Sequence, residues 1–394
     1  MSAPGNAPGN AWEALGRRLR LAVLGGGPGS FIGPIHRAAA RLDDRFEIVA
    51  GVLSSDPVRG EEGARALGIR HYPDFAALID AEPKLDAVAI MTPNDRHHAE
   101  CIAAIDAGLH VICDKPLANS VAEAAEIAER VRRTMTVFCL THGYAGYPMI
   151  RQARAMVAAG AIGAVRAVQV EYIQAGMSAR VEDGVITRKL AWKLAAARSG
   201  PSLVLGDIGT HAYHLARFVS GRKVVGLSAD LGAIVPGRVV DDYGAMFLRF
   251  EGGVPGTLLV SQALAGAENA ITLRVFGELG HIEWQHATCN YLKLALQGRP
   301  VQVLARGDAD LLPPAARVVR IARGHPEGLT EAFANLYRDA AELIAARLTS
   351  APVDELALDF PNAQDGLEGM MFVDAALRSR AEGGGWVGLD EAAR

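Results

Sequence analysis

Two patterns of apolar and polar residues divide the chain into two parts. Over residues 19–142, five apolar runs with the length of buried strands alternate with amphipathic helical patterns. The first predicted strand begins at Leu19, and the others are Phe46–Ser55, Asp86–Met91, His110–Cys113 and Val137–His142. The predicted helices are Pro34–Leu42, Pro57–Leu67, Ala99–Ala107 and Val121–Arg133. Apolar strands separated by helices indicate an α/β fold with a doubly wound parallel sheet that is covered on both faces.

The second half of the chain is rich in strand patterns that follow a linking helix at Met149–Gly160. These predicted strands are Val165–Ile173, Lys223–Ile234, Asp242–Glu251, Gly256–Ala263, Ala270–Phe276 and His281–Trp284. Turn signals at Gly252-Gly253 and Leu279-Gly280 favour antiparallel hairpins, and helices at Thr330–Leu348 and Gly366–Arg380 close the chain. The pattern predicts an α+β domain with a large, mostly antiparallel open sheet. Because one face of such a sheet needs cover, we expect a homo-oligomer, a dimer or tetramer, formed through it.

Three segments follow from these patterns. Residues 1–16 repeat Ala-Pro-Gly-Asn and contain little that packs, which predicts a disordered tail. Residues 17–147 form the predicted nucleotide-binding domain. Residues 148–394 form the predicted domain for substrate binding and oligomerisation.

Charge and composition exclude several classes of protein. The chain has 40 Lys and Arg against 44 Asp and Glu, without a run of five basic residues, which argues against a nucleic-acid partner. No apolar stretch approaches the roughly 18 residues that span a membrane, and the first residues lack the order of a signal peptide, so we expect a cytoplasmic protein. Cys101, Cys113, Cys139 and Cys289 lack CxxC spacing and are interpreted as reduced thiols.

A glycine-rich segment, Gly25–Gly33, lies between the first predicted strand and the first predicted helix. Gly25 and Gly27 match the first two glycines of G-x-G-x-x-G, whereas Ser30 occupies the third place and Gly33 comes three residues later. Glycines in this position let the backbone approach a pyrophosphate at a helix N-terminus. The segment predicts a Rossmann dinucleotide-binding domain, and the alternative is a loop that merely turns the chain. The predicted cofactor-binding residues here are Gly25, Gly27, Gly29, Ser30, Phe31 and Ile32.

The end of the second predicted strand bears on the choice of cofactor. The place that usually holds an acid for the adenosine ribose is taken by Ser54 and Ser55, with Asp56 just beyond. Arg59 is near enough in sequence to approach a ribose phosphate, yet no Arg directly follows Ser54. NAD is preferred because Asp56 can still reach the ribose, and NADP stays open.

Two further motifs follow the third and fourth predicted strands, and a third lies in the second half. They are Thr92-Pro93-Asn94-Asp95-Arg96-His97-His98, Asp114-Lys115-Pro116 and the run GDIGTHAYH at Gly206–His214. Together with the glycine segment, they resemble the Gfo/Idh/MocA oxidoreductases over nearly the whole chain from Leu19. The resemblance implies an NAD(P)-dependent enzyme that transfers hydride between the nicotinamide and a secondary hydroxyl of a sugar, sugar derivative or polyol. It adds Thr92, Pro93, Asn94, His97, Asp114 and Lys115 to the predicted cofactor site.

The same resemblance implies the catalytic residues. Lys115 corresponds to the lysine of E-K-P, which contacts nicotinamide ribose and substrate, and Asp114 replaces the acid before it. In the D-x-G-x-H-x-x-D run, Asp207 holds a substrate hydroxyl and His211 exchanges its proton, while His214 replaces the last acid. Elementary chemistry agrees, because oxidation of an alcohol needs a base poised near neutral pH. Without the resemblance, a capping role for Asp207 and a core role for His211 are equally good interpretations.

Other side chains are candidates for substrate binding. Aromatic faces suit sugar rings, and cations suit carboxylate or phosphate substituents. The candidates are Tyr144, Trp192, Lys193, Arg198, His214 and His325. Lone Lys and Arg side chains are usually just solvated, and Pro326 makes a helix-capping role for the His325 segment equally plausible. No third ligand accompanies Asp207 and His211, so no metal is expected.

Two accounts of function remain from the sequence. The first is the dehydrogenase described above. The second is an NAD-dependent glycoside hydrolase that oxidises a sugar hydroxyl transiently, eliminates the glycosidic bond and returns the hydride, and it needs the same Lys115 and His211. A binding protein without turnover is disfavoured by the intact Lys115, Asp207 and His211.

Overall fold

Six parallel strands build the first sheet of the protein, whose structure is a computed structural model that describes residues 11–184 and 194–390. The order in the sheet is β3-β2-β1-β4-β5-β6, which confirms the predicted Rossmann architecture. The strands are β1 Leu19–Gly25, β2 Phe46–Val52, β3 Arg70–His71, β4 Ala87–Met91, β5 His110–Cys113 and β6 Phe138–Leu140. The short strand β3 was missed because two residues carry no periodicity.

Three of the helices that flank this sheet begin after a residue whose side chain satisfies one of the first N–H groups. Asp56, Asp74 and Ser120 each accept a hydrogen bond from the backbone N–H three residues later. The helices are α1 Ala11–Leu15, α2 Ile32–Leu42, α3 Pro57–Leu67, α4 Phe75–Ala81, α5 Asn94–Asp106 and α6 Val121–Thr134. Helix α5 begins five residues before the prediction, directly after Pro93, which ends the extended segment that follows β4.

Nine strands form the second sheet, and its predicted, mostly antiparallel character is confirmed. The order is β14-β13-β12-β11-β7-β10-β9-β8-β15, with one parallel pair at its centre, β7 beside β10. The strands are β7 Val165–Ile173, β8 Val224–Gly232, β9 Tyr243–Phe250, β10 Pro255–Ser261, β11 Ala270–Gly277, β12 Gly280–Gln285, β13 Tyr291–Leu296, β14 Gln302–Ala305 and β15 Val387–Gly388.

One face of the second sheet is covered by helices, and the opposite face carries exposed residues. The other helices among the described residues are α7 Pro148–Ala158, α8 Ala196–Ser199, α9 Thr210–Ser220, α10 Pro313–Ala316, α11 Leu329–Thr349 and α12 Ala363–Ala381. Helix α9 packs on the buried face against β7 and β11, where Val168 and Val170 are buried. On the opposite face Phe247 and Tyr291 are exposed, as expected for an open sheet.

Two helices outside residues 17–147 pack on the first domain, α1 near the N-terminus and α11. The predicted tail of residues 1–16 is wrong for Ala11–Leu15, because this helix packs with Trp12 and Leu15 against helix α11. Residues 1–10 lie outside the described residues. Helix α11 lies within residues 148–394, the predicted domain for substrate binding and oligomerisation. Its Phe333 and Tyr337 nevertheless pack on the first sheet and on α2. Its apolar stripe covers a sheet face that is far away in sequence, and periodicity alone does not identify such a partner.

Candidate active site

The glycine segment closes tightly between β1 and α2. A Cβ at Gly27 would lie 2.2 Å from the carbonyl oxygen of Leu53, and one at Gly33 would lie 2.0 Å from the carbonyl oxygen of Gly26. Gly25 has φ +71°, in the left-handed region that favours glycine. Gly33 therefore provides the close strand–helix packing that the motif assigns to its third glycine, three residues later than the position of Ser30.

The start of α2 fits the pyrophosphate of a dinucleotide. Ser30 Oγ accepts a hydrogen bond from the Gly33 N–H at 3.1 Å and so satisfies one N–H group in the first turn of the helix. Gly29 has φ +83°, and a Cβ there would approach only the Arg59 guanidinium, at 3.9 Å, so the loop is open on this side. An open glycine loop before an eleven-residue helix presents N–H groups and the positive end of the helix dipole to an anion. Phe31 lies beside it with an exposed ring.

The candidate ribose residues have partners within the first domain. Asp56 caps α3 through Oδ1, which accepts from Arg59 N–H at 3.2 Å. The Arg59 guanidinium donates to the Pro28 carbonyl at 2.9 Å and so braces the glycine segment from outside. Ser54 Oγ accepts from Asp56 N–H, and Ser55 is exposed. The described geometry thus gives Asp56 and Arg59 structural roles beside the predicted cofactor roles.

A buried histidine ties together the two loops that follow β4 and β5. His97 is 1% exposed, and its Nδ1 lies 2.8 Å from the Pro116 carbonyl oxygen while its Nε2 lies 2.9 Å from the Thr92 carbonyl oxygen. Asn94 donates from Nδ2 to the Ser199 carbonyl at 3.0 Å, across to the second half of the chain. Asp114 Oδ1 accepts from Lys115 N–H and from Thr141 Oγ. These contacts fix the backbone that presents Lys115.

A π-helical turn at Leu205–Gly209 brings Asp207 to Lys115. The Thr210 N–H bonds to the Leu205 carbonyl, five residues back, so the turn is wider than an α-helical turn. The Lys115 ammonium donates to the carbonyl oxygen of Asp207 and to its Oδ1, the latter at 3.2 Å. Gln262 donates from Nε2 to the other carboxylate oxygen of Asp207 at 2.7 Å. The predicted pair of charged residues is therefore in direct contact.

Three histidine rings meet behind this pair. His211 Nδ1 lies 3.4 Å from Nδ1 of His142, and His142 stacks on His214 with ring centroids 4.5 Å apart and planes 7° from parallel. His142 and His214 are each 2% exposed, whereas His211 keeps part of its surface accessible. Burial is the main cause that holds the pKa of each ring well below the ordinary value for histidine, and cations add to it, Lys115 at His142 and His211 and Arg217 at His142 and His214. The site therefore favours the neutral form of each ring.

A wall of uncharged hydrogen-bonding side chains continues from this cluster. Tyr144 donates to the Tyr172 hydroxyl at 2.7 Å, Tyr172 donates to Asn269 Oδ1 at 2.7 Å, and Asn269 Nδ2 donates back to Tyr144 at 3.1 Å. Gln174 Nε2 donates to Asn269 Oδ1 at 2.6 Å, and its Oε1 accepts from Gln262. The Tyr144 ring meets His211 edge to face at 5.2 Å. This wall links His211 to Asp207 through hydroxyl and amide groups.

Family models match both halves of the chain. The model described as "Oxidoreductase family, NAD-binding Rossmann fold" matches residues 19–142, and the "GFO/IDH/MocA C-terminal domain" matches residues 150–283. The chain belongs to the Gfo/Idh/MocA oxidoreductase family. It is an NAD-binding oxidoreductase, and the resemblance seen in its motifs is confirmed.

Several relatives of this family are similar to the chain over nearly its full length. The uncharacterized oxidoreductase YfiI of Bacillus subtilis is 33% identical over 96% of the chain and 98% of its own length. An inositol dehydrogenase homolog from Azotobacter vinelandii, solved with NADH and myo-inositol, is 36% identical with a TM-score of 0.88, covering 96% of this chain and all of that one. A levoglucosan dehydrogenase solved with NADH and levoglucosan is 25% identical with a TM-score of 0.83, covering 95% of this chain and all of that one.

The other candidates of this Gfo/Idh/MocA member lie in different places. Arg198 is exposed and forms an ion pair with Asp95 at 3.5 Å, at the seam between the two halves. His325 is exposed on the loop before α11, where its carbonyl accepts from Arg306. Trp192 and Lys193 lie outside the described residues. The structure therefore brings Tyr144 and His214 to the catalytic candidates and places Arg198 and His325 elsewhere.

Sequence reasoning missed five side chains of the site, namely His142, Tyr172, Gln174, Gln262 and Asn269. His142 stands at the end of a predicted strand without a motif around it. The other four come from the ends of three strands, β7, β10 and β11, and only the order of the second sheet makes them neighbours. In residues 11–184 and 194–390, no three His, Cys, Asp or Glu side chains form a group that suits a metal ion, and no helix is long and apolar enough to cross a membrane.

Proposed function

We propose that this protein is an NAD-dependent dehydrogenase that acts on a secondary hydroxyl of a neutral cyclic polyol or sugar. The proposal rests chiefly on one observation, the contact of Lys115 with Asp207 beside His211 at the edge of an uncharged polar wall. Neutral hydroxyl and amide groups suit a substrate rich in hydroxyls and without a charged substituent. The myo-inositol and levoglucosan bound to the two solved relatives belong to this class.

The cofactor would be held by the first domain, and the fit is good. The glycine segment and the start of α2 accommodate a pyrophosphate, and the loops after β4 and β5 lie at the carboxyl ends of the central strands, where such folds bind dinucleotides. When bound, NAD supplies the hydride acceptor for alcohol oxidation. Asp114 fixes the backbone N–H of Lys115, which lets the lysine side chain reach from the cofactor side of the cleft to Asp207.

Four side chains would bind the substrate and transfer its hydroxyl proton. Burial and Lys115 favour the neutral form of His211, the form that can accept the proton of the substrate hydroxyl, and the Asp207 carboxylate stabilises the imidazolium that results. The Lys115 ammonium, 13% exposed, stabilises the alkoxide that develops at the same oxygen. Asp207 accepts a hydrogen bond from the substrate and holds Lys115 in place. Gln262 Oε1 is buried and has no hydrogen-bond partner among the described residues, which makes it an acceptor for a further substrate hydroxyl.

A substrate panel with both nicotinamide cofactors tests this proposal. Reduced nicotinamide should accumulate in proportion to oxidised product with myo-inositol, levoglucosan or another neutral ring polyol, and NAD should support faster turnover than NADP. Glycoside cleavage with catalytic NAD, release of aglycone in excess of cofactor and uptake of solvent deuterium would instead support the hydrolase alternative, which the dehydrogenase relatives do not favour. Absence of turnover across neutral polyols, with turnover of a sugar acid, would overturn the neutral-substrate assignment.

The expected assembly and compartment belong to the same proposal. The open face of the second sheet exposes Phe247, Tyr291 and Val303, and a second copy of the chain would cover them. The four cysteines are free thiols, which supports a reducing compartment, the cytoplasm. Sedimentation equilibrium tests the first statement, and Phe247→Glu should shift the distribution toward monomer if this face is the interface. Cell fractionation tests the second.

A further inference from the structure

His211 has a ring partner that the sequence motif does not contain. Its Nδ1 lies 3.4 Å from Nδ1 of His142, a residue held between β6 and the turn Gly143–Gly146. The His142 segment is fixed by backbone bonds, His142 N–H to the Leu140 carbonyl at 2.8 Å and Thr141 N–H to the Cys113 carbonyl at 2.9 Å. The His142 ring contacts two other histidine rings. His214 stacks on it, and the His211 ring meets it edge to face, with the planes 78° apart.

Two neutral imidazoles that meet through their Nδ1 atoms share one proton. If His142 carries it, His211 Nδ1 accepts, and the proton of His211 sits on Nε2, the nitrogen left for the substrate. That arrangement cannot take a proton from an alcohol. If His211 carries it, His142 Nδ1 accepts and Nε2 of His211 is free to act as a base. Ketone reduction needs the same hydrogen bond, from His211 Nδ1–H to His142 Nδ1. In that direction His211 starts with protons on both nitrogens and gives the one on Nε2 to the substrate.

We propose that His142 is a positioning residue that accepts the Nδ1 proton of His211 and thereby directs Nε2 of His211 to the substrate. This inference rests on the proposed function only for the direction of proton transfer, because the ring contact itself is a property of the protein alone. His214 completes the arrangement by stacking on the His142 ring, and it takes the place of the last acid of the D-x-G-x-H-x-x-D run. A neutral ring pair thus takes over the orienting role that a carboxylate often fills beside a catalytic histidine.

The surrounding charges keep His142 an acceptor. Lys115 and Arg217 face the cluster from the β5 loop and from α9, and Arg154 of α7 lies beside His214. Asp207 is the anion that favours a charged His211, while Tyr144 and Tyr172 contact His211 with their rings. Burial and Lys115 oppose a charge on both rings, and of the two rings His211 has the Asp207 carboxylate to stabilise its charged form. When His211 takes up a proton, the charge therefore stays on His211, beside Asp207, and His142 remains the neutral partner.

The test compares two substitutions of His142 with a remote control. His142→Phe keeps an aromatic ring in the stack but has no acceptor, whereas His142→Asn places an amide oxygen near the position of Nδ1. We expect His142→Phe to lower kcat by about tenfold or more, with KM changed less than about threefold, and His142→Asn to recover most of kcat. The acid limb of the kcat/KM profile should move in His142→Phe and return in His142→Asn. His281→Asn, on β12 against Phe276, is the control and should leave both unchanged.

A second readout needs no turnover. In protein labelled with ¹⁵N-histidine, long-range proton–nitrogen spectra distinguish the two tautomers, and loss of a signal in His211→Gln assigns His211. We expect the Nδ1–H form in the wild type and a shift toward Nε2–H in His142→Phe. An Nε2–H form of His211 in the wild type, or unchanged tautomer and pH profile in His142→Phe, would overturn the inference. If no substrate turns over, the proposed function fails, and the tautomer spectra still decide the role of His142.

Discussion

The two walls of the cleft are built in different ways. The cofactor wall consists mainly of backbone, in which Gly27 and Gly33 leave no room for a Cβ and α2 presents its N–H groups. The substrate wall consists of side chains from strand ends and from the π-helical turn, held by hydrogen bonds such as Gln262 to Asp207. Substitutions on the first wall should therefore act through packing and on the second through charge and hydrogen bonding.

The largest effect is expected on the substrate wall, from Lys115→Met. The loss of the ammonium removes the cation beside the developing alkoxide, so turnover should fall by roughly 100-fold or more, the scale of a lost acid–base or electrostatic group. NAD affinity should change by no more than a few fold, because the glycine segment stays intact. Steady-state kinetics and isothermal titration measure the two quantities.

A matched lysine serves as the control for this substitution. Lys84 is exposed, on the segment before β4, and Lys84→Met should leave both turnover and NAD affinity unchanged. Near-normal turnover in Lys115→Met would refute the assignment of Lys115 to the chemistry. Equal losses of turnover and NAD affinity would place its main role on the cofactor wall instead.

The same contrast explains what the sequence predicted. Gly25 and Gly27 were identified because the cofactor wall is encoded within nine consecutive residues between a strand and a helix. The role of Gly33 was missed because the motif expects that packing glycine at position 30, whereas this loop is three residues longer. His142, Tyr172 and Asn269 carry no local signal, since they become neighbours only when β6, β7 and the segment before β11 assemble. The position of α11 on the first sheet was missed for the same long-range reason.

On the cofactor wall, Gly33→Ala should have the next largest effect. The new methyl group would lie 2.0 Å from the Gly26 carbonyl oxygen, a backbone atom that cannot move without opening the loop. We expect a loss of about 1–3 kcal/mol in the free energy of unfolding, the range for overpacking, and weaker NAD binding. Urea unfolding and titration with NAD measure both. The control is Gly232→Ala at the end of β8, where the new methyl group meets no atom within 4 Å and the free energy of unfolding should not change. An unchanged free energy of unfolding in Gly33→Ala would show that the loop is looser than the packing indicates.

Both walls should lose stability in acid, through buried histidines. Burial lowers the pKa of His36 to about 4 in the folded protein. Below pH 6.5 this histidine therefore binds a proton in the unfolded chain but not in the folded protein. The free energy of unfolding falls as the pH falls toward 4. From pH 6.5 to 5 the loss is roughly 2 kcal/mol for such a histidine, at about 1.4 kcal/mol per pH unit. His36→Phe should remove this one contribution to the pH dependence of the unfolding free energy and leave those of His142, His211 and His214. Tyr337→Phe removes the partner of His36 Nδ1 and should lower stability at both pH values.

The smallest effect separates a structural role from a cofactor role at Asp56. Its carboxylate caps α3, and removal of such a cap costs about 1 kcal/mol, which Asp56→Ala should show in unfolding experiments. Asp74 caps α4 in the same way, with Oδ1 accepting from Ala77 N–H at 2.8 Å, and Asp74→Ala should cost a similar amount. Because the cofactor wall consists mainly of backbone, we expect NAD affinity to fall less than about threefold in Asp56→Ala and not at all in Asp74→Ala. A tenfold loss confined to Asp56→Ala would mean that Asp56 also binds the ribose, and that the cofactor wall depends on a side chain after all.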